Sequence, residues 1–168
     1  SRGHTDGDAF LHLPEENVLH CGDLLFHGRH PYVDVSSAAT PQGWLRCIET
    51  MLALCDDETV VVPGHGTLTD RSGLQAQGDY FRQLEELVGG ALAEGRSRAE
   101  VERMGTPELR GLSGAEQHLG RNLGIVYDEM AAANRSLADA LLLKTFAGFG
   151  LDIYEVTAET VRIRLVHQ

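Results

Sequence analysis

Histidine and carboxylate side chains occur together in three short glycine-containing stretches of this sequence. GHTDGD over residues 3–8 contains one imidazole and two carboxylates. CGD over 21–23 adds an aspartate, and PGHG over 63–66 adds a second histidine. Imidazole with carboxylate is a usual ligand set for zinc and also suits iron or manganese. The three stretches together predict a metal site, although each alone also fits a structural turn.

The first two stretches are brought together by a predicted hairpin. Residues 9–13 and 18–22 are apolar strands, and PEEN over 14–17 is the turn between them. With the turn centred between Glu15 and Glu16, GHTDGD and CGD meet at the open end of the hairpin. Carboxylates that meet there would repel each other, and a bound cation would remove that cost.

The third stretch follows a predicted strand at 59–66, in which three successive valines suit burial on both faces. Glycines on both sides of His65 would let the backbone turn and present the imidazole at the carboxyl end of this strand. Sheets of α/β proteins commonly hold ligands at that edge. Apolar residues at helical spacing predict helices over 43–54 and 72–92 on either side of the strand.

The remaining pattern is mainly helical. Helices are predicted over 96–104, 106–109 and 114–133, and 137–148 also has a helical pattern. Residues 161–168 alternate like a strand. This order of strands and helices predicts a layered α/β domain.

Composition narrows the classes of partner. The chain has 168 residues and a formal charge of -11, from 25 acidic against 14 basic residues, which argues against nucleic acid and anionic membranes. No apolar run approaches the ~18 residues needed to span a bilayer. The three cysteines have no CxxC spacing, which favours reduced thiols in a cytoplasmic protein. A small-molecule substrate is the expected partner, and the oligomeric state stays open.

In their order, GHTDGD, HCGDLLF and VVVPGHG resemble three of the five metal motifs of the metallo-β-lactamase superfamily. The linking residues 28–54 resemble its hydrolase-like branches, such as glyoxalase II. The resemblance covers 3–92 well and continues more weakly over 120–130. It implies that residues 1–133 form the C-terminal half of an αββα sandwich followed by C-terminal helices, and it leaves 134–168 unassigned.

The resemblance also implies roles for single residues. His4 would bind the first metal, His65 the second, and Asp23 would bridge both, while Asp8 would fix the loop without binding metal. The complete site would hold two divalent metal ions, most commonly zinc. The HxHxDH motif that supplies the other ligands in this family does not occur in the 168 residues. The sequence is therefore expected to be the C-terminal part of a longer protein.

The implied activity is that of a metallo-hydrolase, in which a metal-bound hydroxide attacks an ester, thioester or lactone. This chain alone is expected to be inactive or nearly so, with an exposed apolar sheet face where strands are missing. Three alternatives stay open: a phosphodiesterase or nuclease of the same superfamily, a non-catalytic metal-poor binding module, and half of a flavodiiron-type oxidoreductase. The acidic charge counts against the nuclease, and the lack of a phosphate-binding glycine loop counts against the oxidoreductase.

Other side chains near the predicted site have two interpretations each. Arg29, His30 and Tyr32 either line the mouth of the substrate site or pack within their own loop. Cys21 lies two residues before Asp23, so strand alternation predicts that both share a face. It would then be either a thiolate ligand or a buried core cysteine.

Overall fold

The computed structural model describes residues 3–147, 151–156 and 161–165, with side chains described as far as residue 137. The chain divides into two compact units, Ser1–Glu129 and Met130–Gln168. None of the helices in the described residues is both long and apolar enough to cross a membrane. The predicted mixed α/β class is confirmed.

The first unit contains a three-stranded sheet in the order β1-β2-β3. Strand β1 (Leu11–Leu13) pairs antiparallel with β2 (Val18–Phe26), and β2 pairs parallel with β3 (Val60–His65). Since β2 and β3 are parallel, their carboxyl ends lie at the same edge of the sheet. That edge is where Asp23 and His65 were expected.

The hairpin has the predicted register. Leu11 pairs with His20 and Leu13 with Val18, as a turn centred between the two glutamates requires. Residues 14–17 form the turn. Asn17 ends it at φ 52°, in the left-handed region that asparagine enters more readily than most residues.

Helix α1 (Pro41–Leu52) makes the connection between the two parallel strands. It begins at Pro41, because Thr40 caps it: the Thr40 hydroxyl accepts a hydrogen bond from the Gly43 amide at 3.0 Å. Its buried residues include Trp44, whose indole N–H donates to the Leu24 carbonyl of β2 at 2.8 Å. Trp44 is therefore a core residue that joins helix to sheet.

Helix α2 follows β3 and covers the sheet beside α1. Two short helices, α3 (Arg98–Val101) and α4 (Pro107–Gly111), come next. The sequence predicted two helices between residues 114 and 148, and the structure has one long helix, α5 (Ala115–Ala147), in their place. The tail contains two paired antiparallel strands, of which the sequence predicted only the second. Residue 148 and residues 166–168, which belong to the predicted tail elements, lie outside the described residues. The remaining bounds are α2 Arg71–Ala93, β4 Leu151–Val156 and β5 Val161–Leu165.

The prediction that β3 is buried on both faces is wrong for the first unit as described. Val61 is fully buried, but Val60 is 44% exposed. Cross-strand pairing places Val60 on the same face as Leu11, which is 58% exposed, and Leu13. Valine repetition cannot distinguish a strand covered on two sides from one covered on one side. The set Leu11, Leu13, Val18, Val60 and Val62 is called the open apolar face below.

Candidate metal site

His4, Asp23 and His65 come together at the carboxyl edge of the parallel strands. His4 Nε2 lies 3.9 Å from Asp23 Oδ2, and His65 Nε2 lies 3.4 Å from Asp23 Oδ1. Each histidine therefore faces a different oxygen of one carboxylate. Asp23 and His65 are half-exposed, whereas the His4 side chain is mostly buried.

Asp23 reaches the site because β2 is irregular just before it. The register with β3 shifts on either side of Gly22, which adopts φ 53°. A residue added by such a bulge turns the following side chains to the opposite face. Cys21 is consequently buried in the core while Asp23 is exposed, so the prediction that they share a face is wrong.

Cys21 is a core thiol rather than a ligand. Burial, with a smaller contribution from Cys55, raises the pKa of the Cys21 thiol to about 12. A thiol binds metal as the thiolate, which this environment disfavours. All three cysteines lie in the described residues, and none forms a disulfide.

His4 is held by the loop on which it lies. The Asp8 carboxylate accepts hydrogen bonds from the amides of Gly3 and Thr5 at 2.9 to 3.0 Å and from the Thr5 hydroxyl. His4 Nδ1 lies 2.8 Å from the carbonyl oxygen of Tyr32. Because a carbonyl only accepts, Nδ1 donates this hydrogen bond, and the neutral ring then has its lone pair on Nε2, the nitrogen nearest Asp23. That tautomer is the one a metal requires.

His65 is placed by glycines and by an aromatic ring. Gly66 adopts φ 105°, a conformation that favours glycine, and a side chain there would overlap the His27 carbonyl. The Phe26 ring stacks on the His65 ring, with centroids 4.4 Å apart and planes 28° from parallel. The same Phe26 ring lies 5.8 Å from His4, so one aromatic side chain packs against both histidines.

The distances suit metal ligands better than hydrogen bonds. The two N–O separations exceed the usual 2.7–3.2 Å of an N–H···O bond. Two ligand atoms each about 2.1 Å from a tetrahedral zinc lie about 3.4 Å apart. The His65–Asp23 distance of 3.4 Å matches this separation, whereas the His4–Asp23 distance of 3.9 Å exceeds it. The donor types fit a metal, but the set is incomplete. No group of three or more His, Cys, Asp or Glu side chains in the described residues is arranged around one common ion.

A cavity of about 240 Å³ adjoins His65. Arg29, His30 and Tyr32 line it, as do Ser113, Gln117 and His118 from the start of α5 and the loop before it. No sequence pattern indicated those last three residues, since they follow the motifs by about fifty positions and form no motif themselves. The structure thus places the three predicted mouth residues beside His65. Their role in binding a substrate stays a prediction.

Within this group His30 is distinct, because the residue is only 2% exposed and both of its ring nitrogens form hydrogen bonds. Nε2 donates to the Leu109 carbonyl at 2.8 Å, and Nδ1 accepts from the Tyr80 hydroxyl at 2.9 Å. Asn122 in turn donates to the Tyr80 oxygen at 2.8 Å. Burial lowers the pKa of His30, although its bond to the Leu109 carbonyl partly opposes that shift.

The lowered pKa predicts that stability falls in mild acid. A histidine whose pKa is lower in the folded than in the unfolded chain binds more protons when unfolded, so its contribution is present above pH ~6.5 and is lost as pH falls below that value. We expect the free energy of urea unfolding to decrease between pH 7.5 and 5.5, and His30→Gln to reduce that decrease. His12→Gln, on the hairpin, is the control. Equal pH dependence in all three proteins would contradict this.

Comparison with protein families supports the resemblance drawn from the three motifs. A family model described as the metallo-beta-lactamase superfamily matches residues 1–65, which contain His4, Asp23 and His65. The identification of the superfamily is thereby confirmed over this segment. A search of curated proteins gave no match.

Part of this chain is similar to part of three solved proteins, two of which are named as metallo-beta-lactamases. VMB-1 is 24% identical over 49% of this chain and 38% of its own, with a TM-score of 0.43. DIM-1 metallo-beta-lactamase is 22% identical, over 49% and 39%, with a TM-score of 0.42. The metallo-beta-lactamase of Pontibacter korlensis is 24% identical, over 49% and 38%, with a TM-score of 0.42. The matched region spans about two-fifths of the length of these proteins.

Proposed function

We propose that the complete protein is a metal-dependent hydrolase that cleaves an ester, thioester or lactone, and that His4, Asp23 and His65 are ligands of its two metal ions. The observation that carries this proposal is the Asp23 carboxylate, which faces a histidine nitrogen with each of its oxygens. A carboxylate with one donor nitrogen beside each oxygen suits a bridge between two metals. Zinc suits the donor set, and iron or manganese are the other candidates.

The residues of the chain have separate tasks in this proposal. When bound, the two ions would act as Lewis acids and lower the pKa of a water molecule towards neutrality. Asp23 sets the spacing of the two positions, and the Tyr32 carbonyl keeps His4 in the tautomer that binds. Asp8 fixes the loop that carries His4. Arg29 and Tyr32 contact the substrate from the cavity beside His65.

We also propose that residues outside these 168 complete the site and cover the open apolar face. An aliphatic sheet face exposed to this degree favours burial against a further layer. In this proposal that layer carries an HxHxDH motif, which supplies the ligands that Asp23 and the two histidines lack. The chain would then be the second half of the hydrolase domain.

Complementation tests this proposal. Purified 1–168 is expected to bind less than one zinc per chain and to show no esterase, thioesterase or lactonase turnover. The longer product of the same gene is expected to bind two zinc ions and to turn over one of these substrate classes. Zinc is measured by elemental analysis and turnover with chromogenic substrates.

The control for this experiment lies on the open apolar face. In this experiment the additional residues of the longer gene product are added to purified 1–168 as a separate chain. Val60→Lys should then prevent the gain of zinc binding and turnover. Val35→Lys is the matched control: Val35 is 52% exposed, close to the 44% of Val60, and it lies between β2 and α1 outside the sheet, so the substitution should have no effect. Stoichiometric dinuclear zinc and turnover in 1–168 alone would contradict the need for a second layer.

The second candidate function is a non-catalytic, metal-poor binding module. It is favoured by the lack of three converging metal donors in the described residues. A longer product that folds and binds no metal would support this candidate and overturn the hydrolase. The buried cysteines without disulfides suit the predicted cytoplasmic location in either case.

A further inference from the structure

The two histidines of the candidate metal site are held by different means. His4 has the usual support of a metal-binding histidine, a carbonyl that accepts from its second nitrogen. No residue in 3–137 forms a hydrogen bond of that kind with the second nitrogen of His65. Apart from Asp23, the side chain among these residues that contacts the His65 ring is Phe26, on which it stacks. The two residues are also paired across β2 and β3, and the amide of His27 donates to the His65 carbonyl at 2.8 Å. A displacement of Phe26 is therefore expected to move the His65 ring.

Phe26 is itself fixed by a side chain from another element. Its amide N–H donates to Gln77 Oε1 at 3.1 Å, in a buried bond between the end of β2 and α2. The pairing of β2 with β3 is irregular between Gly22 and Phe26, and a side chain supplies the acceptor here. Since a backbone N–H can only donate, the orientation of the Gln77 amide is determined.

Gln77 is an unusual residue for this position. It is 5% exposed, and its Nε2 is buried without a hydrogen-bond partner in the described residues. It lines a small cavity of about 150 Å³ together with Phe26 and Arg29. A buried donor left unpaired costs free energy, so stability alone does not account for an amide at this position.

We propose that Gln77 is a positioning residue for His65 and acts through Phe26. Its carbonyl oxygen holds the last residue of β2, and the Phe26 ring then holds the His65 ring in the orientation that faces Asp23. The importance of this orientation for metal binding rests on the proposed function. The positioning of the His65 ring by Gln77 and Phe26 does not depend on that function.

The test uses the ring protons of His65 in NMR spectra of the metal-free protein, because a stacked aromatic ring shifts them. Gln77→Met keeps the length of the side chain but removes the acceptor. We expect it to move the His65 signals towards those of Phe26→Leu, which lacks the aromatic ring. Gln77→Glu retains an acceptor and should restore signals near those of the wild type. Gln75→Met is the matched control on the same helix.

Leu84→Val tests whether the role is purely structural, because it loosens the buried side of α2 about two turns beyond Gln77. It should lower the melting temperature and leave the His65 signals unchanged. Unchanged signals in Gln77→Met, or equal changes in Leu84→Val, would overturn the proposal.

Zinc affinity of the longer gene product is the second measurement. Gln77→Met should weaken it about tenfold, the lower range for losing a residue that supports a metal ligand, and Gln75→Met should not. Unchanged affinity in Gln77→Met would overturn the link to metal binding. If the wild-type protein binds none of zinc, iron and manganese, the proposed hydrolase fails, and the NMR comparison still decides the role of Gln77.

Discussion

Asp23→Asn is expected to abolish stoichiometric zinc binding and turnover in the complete protein. The substitution keeps the size of the side chain but removes the charge that would be shared between two cations. Zinc affinity should fall by more than about 100-fold, because the loss of a residue that only supports a ligand already costs ~10–100-fold. Competition with a chromogenic chelator measures the affinity, and elemental analysis gives the number of ions bound.

Comparison among the three ligand positions makes this prediction specific. If Asp23 bridges two ions, Asp23→Asn should weaken both, whereas His4→Ala and His65→Ala should each weaken a different one. Asp6→Asn is the matched control, since Asp6 is exposed in the same loop as His4 and loses the same charge. Two ions retained by Asp23→Asn with wild-type affinity would exclude the bridging role.

Gly64→Ala is expected to disrupt the site without removing any ligand. Gly64 does not adopt a positive φ, so its backbone would accept alanine. A Cβ there would overlap Asp23 Oδ1 and lie 2.5 Å from the Gly22 carbonyl oxygen, where no real Cβ is found. Either the Asp23 carboxylate or the backbone of β2 at Gly22 must move. We expect a destabilisation of ~1–3 kcal/mol, typical of overpacking, with a loss of zinc affinity comparable to that of Asp23→Asn.

Gly90→Ala is the control for this change. Gly90 lies exposed on α2, and a Cβ there meets no atom within 4 Å. Alanine in a helix interior should stabilise the protein by ~0.5–1 kcal/mol and leave zinc binding unchanged. Urea unfolding and zinc titration measure both effects. Wild-type zinc affinity in Gly64→Ala would show that the close approach of Gly64 and Asp23 is not needed.

Local rules made much of the first unit predictable. The hairpin register followed from a four-residue turn, and that register places GHTDGD beside the start of CGD. The strand before PGHG followed from three valines and a proline, and the helix before it from its apolar spacing. These features depend on neighbours in the sequence, so their physical causes can be seen in the sequence itself.

Other predictions failed or were missing because a distant element decides them. The bulge at Gly22 separates Cys21 from Asp23, although simple alternation places them together. The exposure of Val60 depends on whether a second layer covers the sheet. A valine is found in strands covered on one side and on both, so the residue type does not predict this. The packing of the start of α5 places His118 at a cavity beside His65, far from it in sequence.

The sequence by itself determined which residues could bind a metal and that the chain would bring them to one sheet edge. Residue type and the hairpin turn act locally, and the common edge follows from the general rule that α/β sheets hold ligands at the carboxyl ends of their strands. The tertiary structure decided that each oxygen of Asp23 faces its own histidine, that Gln77 reaches Phe26 from α2, and that one face of the sheet is open. These depend on packing between elements distant in the chain, where a bulge or a single buried side chain changes which groups meet.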